Sequence, residues 1–303
     1  MLVVLDPAGA DAPDSIRLAL ESNHIVFFAR SPLPLPDEAT LQYLRRELPT
    51  RLKLKNISYH PEGDRITGLE IDDETLRDKT REVLMEHLDA VGGFVCRVMP
   101  HWQGAYRVGT CSFRPIQERG RNLRPHASNE LVHIDAGAYG ATDGDRIFRF
   151  FVNANDREDR VWASKGSLQD VLQRHGVAAG LLNASGGLKL RLDKGLADYA
   201  FSAAIGGLAH LNPLAHTLDS SPYDRTMRRL HNYMKDSDDF KRDMRGYEEI
   251  HFPPYSAWMV FTDGVSHASL SGQFALVTTL IVSRKALRYP EFSPYALLAG
   301  RAH

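Results

Sequence analysis

Cysteine is almost absent, with Cys96 and Cys111 the only two among 303 residues. Two thiols cannot build a disulfide scaffold, and these match neither a zinc-binding spacing nor a CxxC redox motif. A reducing cytoplasm suits such usage. An excess of charge of one sign is also missing, since the formal net charge is -1. A phosphate backbone demands a basic footprint, so nucleic acid is excluded as an expected partner. Long hydrophobic runs are lacking too. No stretch approaches the roughly 20 apolar residues of a membrane span, and residues 1–6 lack the basic lead of a secretory signal. No repeat, low-complexity tract or linker divides the chain. What it does have is 43% hydrophobic residues, enough to bury a full core in one domain over 1–303.

Residues 1–104 alternate helical and extended patterns and read as an N-terminal α/β part. Apolar positions three and four apart predict amphipathic helices over 38–48 and 74–88. From 105 to 163, short alternating segments between Gly, Pro, Asn and Asp clusters predict antiparallel strands, and the sheet is expected to begin here. Residues 164–245 read as a helical insertion, clearest at 167–175 and 223–244. Strand patterns return at 247–252, 258–261 and 274–282, where β-branched and aromatic residues lie between turn residues. The expected fold is mainly β with helices. Its core spans 105–285, holds the insertion at about 164–245, and is followed by a tail over 286–303.

With 13 histidines and 38 acidic residues, a His-x-acid pair should occur about 1.6 times by chance. Local structure separates the three that exist. His60-Pro61-Glu62 lies beside a turn and His87-Leu88-Asp89 ends a predicted helix, where positions i and i+2 diverge. His133-Ile134-Asp135 reads as the end of a strand, where i and i+2 share a face. Two His and one carboxylate leave Fe(II) with open positions, so a second His is required. His267 is the best placed, between the strands at 258–261 and 274–282. His251 is the runner-up, while His231 reads as a packing or surface residue of a helix. The structural reading of His133 and His267 is a hydrogen-bonded core pair.

These residues resemble the Fe(II)/2-oxoglutarate oxygenase superfamily, which carries His-x-Asp and a distal His on a double-stranded β-helix, a jelly-roll or cupin-like core. More narrowly, the run Arg146-Ile147-Phe148-Arg149-Phe150-Phe151-Val152-Asn153-Ala154-Asn155 with Arg160-Val161-Trp162 is similar to the bacterial Kdo hydroxylase family, as is the upstream Arg107-Val108-Gly109-Thr110-Cys111-Ser112-Phe113-Arg114-Pro115. The resemblance implies a dioxygenase using Fe(II), 2-oxoglutarate and O2 to hydroxylate C3 of Kdo in lipopolysaccharide, giving Ko. Its iron ligands would be His133, Asp135 and His267. Its partner would be a Kdo-bearing lipid A or lipopolysaccharide precursor, met in the cytoplasm or peripherally at the inner membrane.

One departure matters. Many relatives hold the distal carboxylate of 2-oxoglutarate with a basic residue about ten positions past the distal His, and residues 274–282 contain none. Alternation from Arg146 puts Arg149 and Asn153 on one face and Phe148, Phe150 and Val152 on the other. Arg149 and Asn153 are therefore the expected anchors, with Gln273 and Thr278 as weaker ones and Arg160 as a further candidate. An anionic sugar calls for arginines, and residues 107–124 supply Arg107, Arg114, Arg119, Arg121 and Arg124 against Glu118. Arg107, Arg114 and Arg124 are the expected substrate contacts, against a plain solvated loop. The tail at 289–298 is mildly apolar and would be either a headgroup contact or a packed tail. The competing readings are an oxygenase acting on another small molecule or peptide, a cupin-like metal- or sugar-binding module, and a structural protein with two core histidines.

Overall fold

The computed structural model describes residues 1–6, 12–70, 73–121, 123–137, 141–209 and 219–300. The chain opens with β1 (Leu2–Val4), α1 (Ala12–Glu21) and β2 (Ile25–Phe28), then α2 (Glu38–Gln42), the hairpin β3 (Ile57–His60) and β4 (Arg65–Thr67), and the long α3 (Glu74–Val98). Next come β5 (Tyr106–Arg114), β6 (Arg146–Asn153) and β7 (Arg160–Ser164). Four helices follow: α4 (Leu168–His175), α5 (Leu196–Ala209), α6 (Pro222–Asp236) and α7 (Asp238–Arg242). The sheets resume with β8 (Glu248–Phe252), β9 (Ala257–Phe261), β10 (Ala268–Ser271) and β11 (Ala275–Val282), and α8 (Pro294–Ala299) closes the chain.

The strands form a jelly roll of two sheets, one of order β1-β2-β9-β6-β11-β5-β3-β4 and one of order β10-β7-β8. Strand alternation decides what each face meets. Phe148, Phe150 and Val152 of β6 join Leu276, Leu280 and Val282 of β11 in a core with Ile16 of α1 and Phe94 of α3. Phe151, Ala275 and Val277 point the other way, into the space between the sheets, among Trp162, Trp258, Ile250 and Phe252. Phe151 and Trp258 stack at 4.9 Å, an aromatic floor beside which the candidate site is built.

Two expectations change, and one open alternative closes. The sheet does not begin at 105, because β1 and β2 extend one edge of the large sheet and β3 and β4 the other. Residues 223–244 form two helices, broken at Ser237, whose side chain caps α7 by accepting from Phe240 N–H. Of the two readings of the tail, the packed one fits: Leu298 of α8 is fully buried against Tyr223, Met227 and Leu230 of α6. No helix among the described residues is long and apolar enough to cross a membrane. At the β10–β11 turn, Gly272 has φ +114 and a Cβ there would lie 2.9 Å from the Arg160 Cα. Only glycine fits that approach.

Candidate metal centre

His133 and His267 are brought together by the backbone before any side chain acts. They form an isolated antiparallel bridge, exchanging N–H···O bonds of 3.0 and 2.8 Å. Residues 131–135 are extended without being a strand, and Asp135 N–H donates to Thr262 at 2.9 Å. Extended backbone sends Ile134 into the insertion core and leaves His133 and Asp135 on the same face. The ligand atoms of His133, Asp135 and His267 lie within 4.8 Å of one another. No other such group of His, Cys, Asp and Glu occurs among the described residues.

Both imidazoles are oriented from behind. His133 Nδ1 lies 2.7 Å from the Leu131 carbonyl and His267 Nδ1 3.0 Å from that of Val265. A carbonyl only accepts, so each Nδ1 carries the proton and each Nε2 presents a lone pair to the centre. Trp162 stacks on His267 at 5.1 Å. Burial and the neighbouring His133 push the His267 pKa down to about 3, which keeps that lone pair available at neutral pH. Burial opposes ionisation of Asp135, but the Arg149 guanidinium, then His133 and His267, hold its carboxyl well below the usual range. Asp135 Oδ2 is buried without a well-directed hydrogen bond, although Arg149 lies 2.9 Å away as an ion pair. Two imidazoles and a carboxylate with an oxygen to spare are the donor set of a two-His, one-carboxylate Fe(II) site. The residues fit the ion.

The other expected residues divide by face and by what their donors already hold. Arg149 points between the sheets beside the centre, opposite Thr279, which in turn faces Thr110. Arg114 shares that interior face, opposite Ala275, with its guanidinium 5.6 Å from the Phe151 ring. Asn153 is on the expected face, but its amide donates to the Phe252 and Glu158 carbonyls and its oxygen accepts from Asn155 N–H. It closes a loop with these bonds. Thr278 is corrected by parity: it pairs with Phe150 on the helix side and contacts Cys111. Thr279 is the interior threonine. Arg160 is fully buried, with its Nη groups donating to Glu118, Ser269 and the Gly272 carbonyl and its Nε buried without a hydrogen-bond partner, so it braces the fold and keeps one donor to spare. Gln273 is half-buried in the β10–β11 turn. Arg107 and Arg124 are exposed, the latter heading a helical turn at Pro125–Ala127. His251 is exposed and pairs with Asp159.

Sequence reasoning undervalued α6. His231 sits edge-on to His133 at 5.1 Å and its Nδ1 donates to the Ile134 carbonyl at 2.8 Å. Lys235, 2% exposed, donates to Ser128 O at 2.9 Å, and Asp236 holds His126 at 2.8 Å. The insertion therefore clamps the metal-bearing segment from outside. An i, i+4 pair of His231 and Lys235 was the available signal. Lys55 was also missed. Its side chain opens to solvent, yet its ammonium is crowded, and burial with Arg114, Arg121 and Arg149 pushes its pKa down.

Residues 8–302 match the family described as 3-deoxy-D-manno-oct-2-ulosonic acid (Kdo) hydroxylase. No curated protein sequence matches. Among solved structures, the Kdo hydroxylase KdoO, a non-haem Fe(II), 2-oxoglutarate-dependent dioxygenase, is similar in its complex with 2-oxoglutarate and Fe(III): TM-score 0.79, 26% identity, 99% of this chain and 95% of that one covered. Its cobalt(II) complex gives 0.79 and 27% over the same shares. Its complex with succinate and Fe(III) gives 0.77 and 26%, covering 99% and 94%.

Proposed function

Because the chain belongs to the Kdo hydroxylase family, we propose that it replaces the C3 hydrogen of Kdo by hydroxyl on a Kdo-bearing lipid A precursor of the lipopolysaccharide inner core, giving Ko. It is a non-haem Fe(II), 2-oxoglutarate-dependent dioxygenase. In the balanced reaction, one atom of O2 enters the substrate C–H bond and the other enters succinate, with loss of CO2 from 2-oxoglutarate. The observation that carries the reading is the buried convergence of His133, Asp135 and His267 within 4.8 Å.

His133, Asp135 and His267 would hold the iron, which when bound supplies O2 chemistry that no side chain can perform. The protein supplies position, charge and shelter. Arg149 keeps Asp135 ionised and is the first candidate for a 2-oxoglutarate carboxylate, with Thr279 opposite it and Arg114 across Phe151. Charge-assisted donors of this kind are what a dicarboxylate needs when water is excluded. At the rim, Lys55, Arg114 and Arg121 feel one another's charge, and an anionic sugar relieves that repulsion. Trp162 and Trp258 keep the inner wall dry.

The test is succinate production by anaerobically purified, Fe(II)-loaded protein with and without Kdo-bearing lipid A precursor. Succinate rising with the acceptor, an acceptor heavier by one oxygen, and a silent His133→Ala variant are expected. Succinate indifferent to the acceptor would sink the substrate assignment. No succinate despite bound iron would sink the oxygenase.

A further inference from the structure

Three rings between the sheets stack into one column. Phe252 of β8 lies on Trp258 of β9 at 3.8 Å with planes 9° apart, and Trp258 lies on Phe151 of β6 at 4.9 Å with planes 2° apart. All three are buried. Trp162 of β7 stands nearly perpendicular to them, at 86° to Phe151, 87° to Trp258 and 85° to Phe252, and lays its own plane on His267 at 5.1 Å. Stacked and edge-to-face contacts both follow the ring quadrupole, so each ring fixes the tilt of the next. The other aromatic residues of β6 do something simpler. Phe148 and Phe150 pack edge-on to Trp102 and Phe94 in the helix-side core.

The column ends on a charge. Arg114 of β5 holds its guanidinium carbon over the Phe151 ring, 5.6 Å from the centroid. In the large sheet β9 and β5 lie on opposite sides of β6, so the Trp258 indole and the guanidinium come to Phe151 from opposite sides. Ala275 of β11, the residue opposite Arg114, offers only a methyl in the way. A core needs volume at this place and no cation, whereas an aromatic face attracts a guanidinium through its quadrupole, the more so where water is excluded. An arginine left free would have to be ordered at the moment a ligand binds, and ordering it in advance strengthens binding. We propose that Phe151, backed by Trp258 and Phe252, is a positioning residue that holds the Arg114 guanidinium ready for a carboxylate of 2-oxoglutarate. That role rests on Arg114 being a contact of the co-substrate. It acts through Arg114 and touches neither iron nor substrate.

Binding of 2-oxoglutarate is measured by anaerobic calorimetry on the full-length, Co(II)-loaded protein, without turnover, while position 151 carries phenylalanine or its analogues with one, two or three ring fluorines. Fluorine withdraws charge from the ring face and adds little volume, so packing is kept while the attraction for a cation fades. The Kd should rise with each fluorine, about threefold or more by the third, with Co(II) affinity unchanged. The same series at Phe148, on the opposite face of β6, should leave the Kd flat. Arg114→Gln should weaken binding and flatten the series at Phe151. A flat series at Phe151 in the otherwise native protein overturns the proposal and makes the ring core packing. An equal rise in the Phe148 series overturns it too, because the fold as a whole would then be loosening. So does a slope that survives Arg114→Gln, which would give the cation to another arginine. Native protein that binds Co(II) but no 2-oxoglutarate would overturn the co-substrate reading along with the proposal, an outcome distinct from a flat series on intact binding.

Discussion

At the residue scale, the centre depends on one carboxylate whose charge is kept by a neighbour. Asp135→Asn keeps the shape and removes the anion, leaving Arg149 beside two imidazoles. Fe(II) or Co(II) affinity, measured by anaerobic titration, should fall by about 100-fold or more. Retained stoichiometric affinity would mean that the two histidines are a core pair and nothing more. Arg149→Lys tests a different property, since a point charge can preserve the Asp135 pair but cannot present a guanidinium fork. The expected outcome is a KM for 2-oxoglutarate raised about tenfold, with metal affinity changed far less. An unchanged KM would move the anchor to Arg114.

At the element scale, the fold holds the centre through ties between loops and strands. Glu118 reaches from the loop after β5 to Arg160 on β7 at 3.1 Å and Arg121 at 3.2 Å, and Arg160 runs on to Ser269 of β10. Breaking a buried pair by removing one partner leaves an uncompensated charge, so Arg160→Met should cost about 3–5 kcal/mol. Denaturant melts would read this directly. The companion double variant with Glu118→Gln should recover part of the loss. A loss from Arg160→Met no larger than that of a surface substitution would mean that water already compensates Glu118. The clamp by α6 belongs to the same scale: His231 and Lys235 face the segment 126–135, while Arg225 pairs with Asp198 of α5 at 2.8 Å.

For the whole molecule, the buried carboxylates set the acid limit. Burial opposes ionisation of Glu118, but Arg160, Arg114 and Arg121 outweigh it and hold its pKa below the ordinary value. A carboxyl lowered on folding stabilises fully above its unfolded pKa, and that contribution disappears as pH falls through the folded one. Asp263 works in the opposite sense, since burial outweighs Arg146 and raises its pKa. The urea midpoint should therefore hold down to the ordinary carboxyl value of 4.5 and fall below it, and Glu118→Gln should flatten that fall while lowering the plateau. An equally steep profile in Glu118→Gln would place the acid sensitivity elsewhere.

The chain alone determined whatever depends on local periodicity. His133 and Asp135 share a face because extended backbone repeats every two residues, and Arg149 parts from Phe148 and Phe150 for the same reason. The β segments at 247–252, 258–261 and 274–282 were legible through their β-branched and aromatic runs, whereas β10, with the sequence Ala-Ser-Leu-Ser, was not. Periodicity does not say which face is interior, so Thr278 and Thr279 were equivalent until β11 paired with β6. Nor does it say where a polar side chain's bonds go: the Asn153 amide on the Phe252 carbonyl, and the Arg160 Nη2 on Glu118 and Ser269, are matters of tertiary packing. The meeting of His133 with His267 across 134 positions of sequence and the clamp by α6 were decided only by the tertiary structure. Each depends on the packing of segments distant along the chain, which no local pattern encodes.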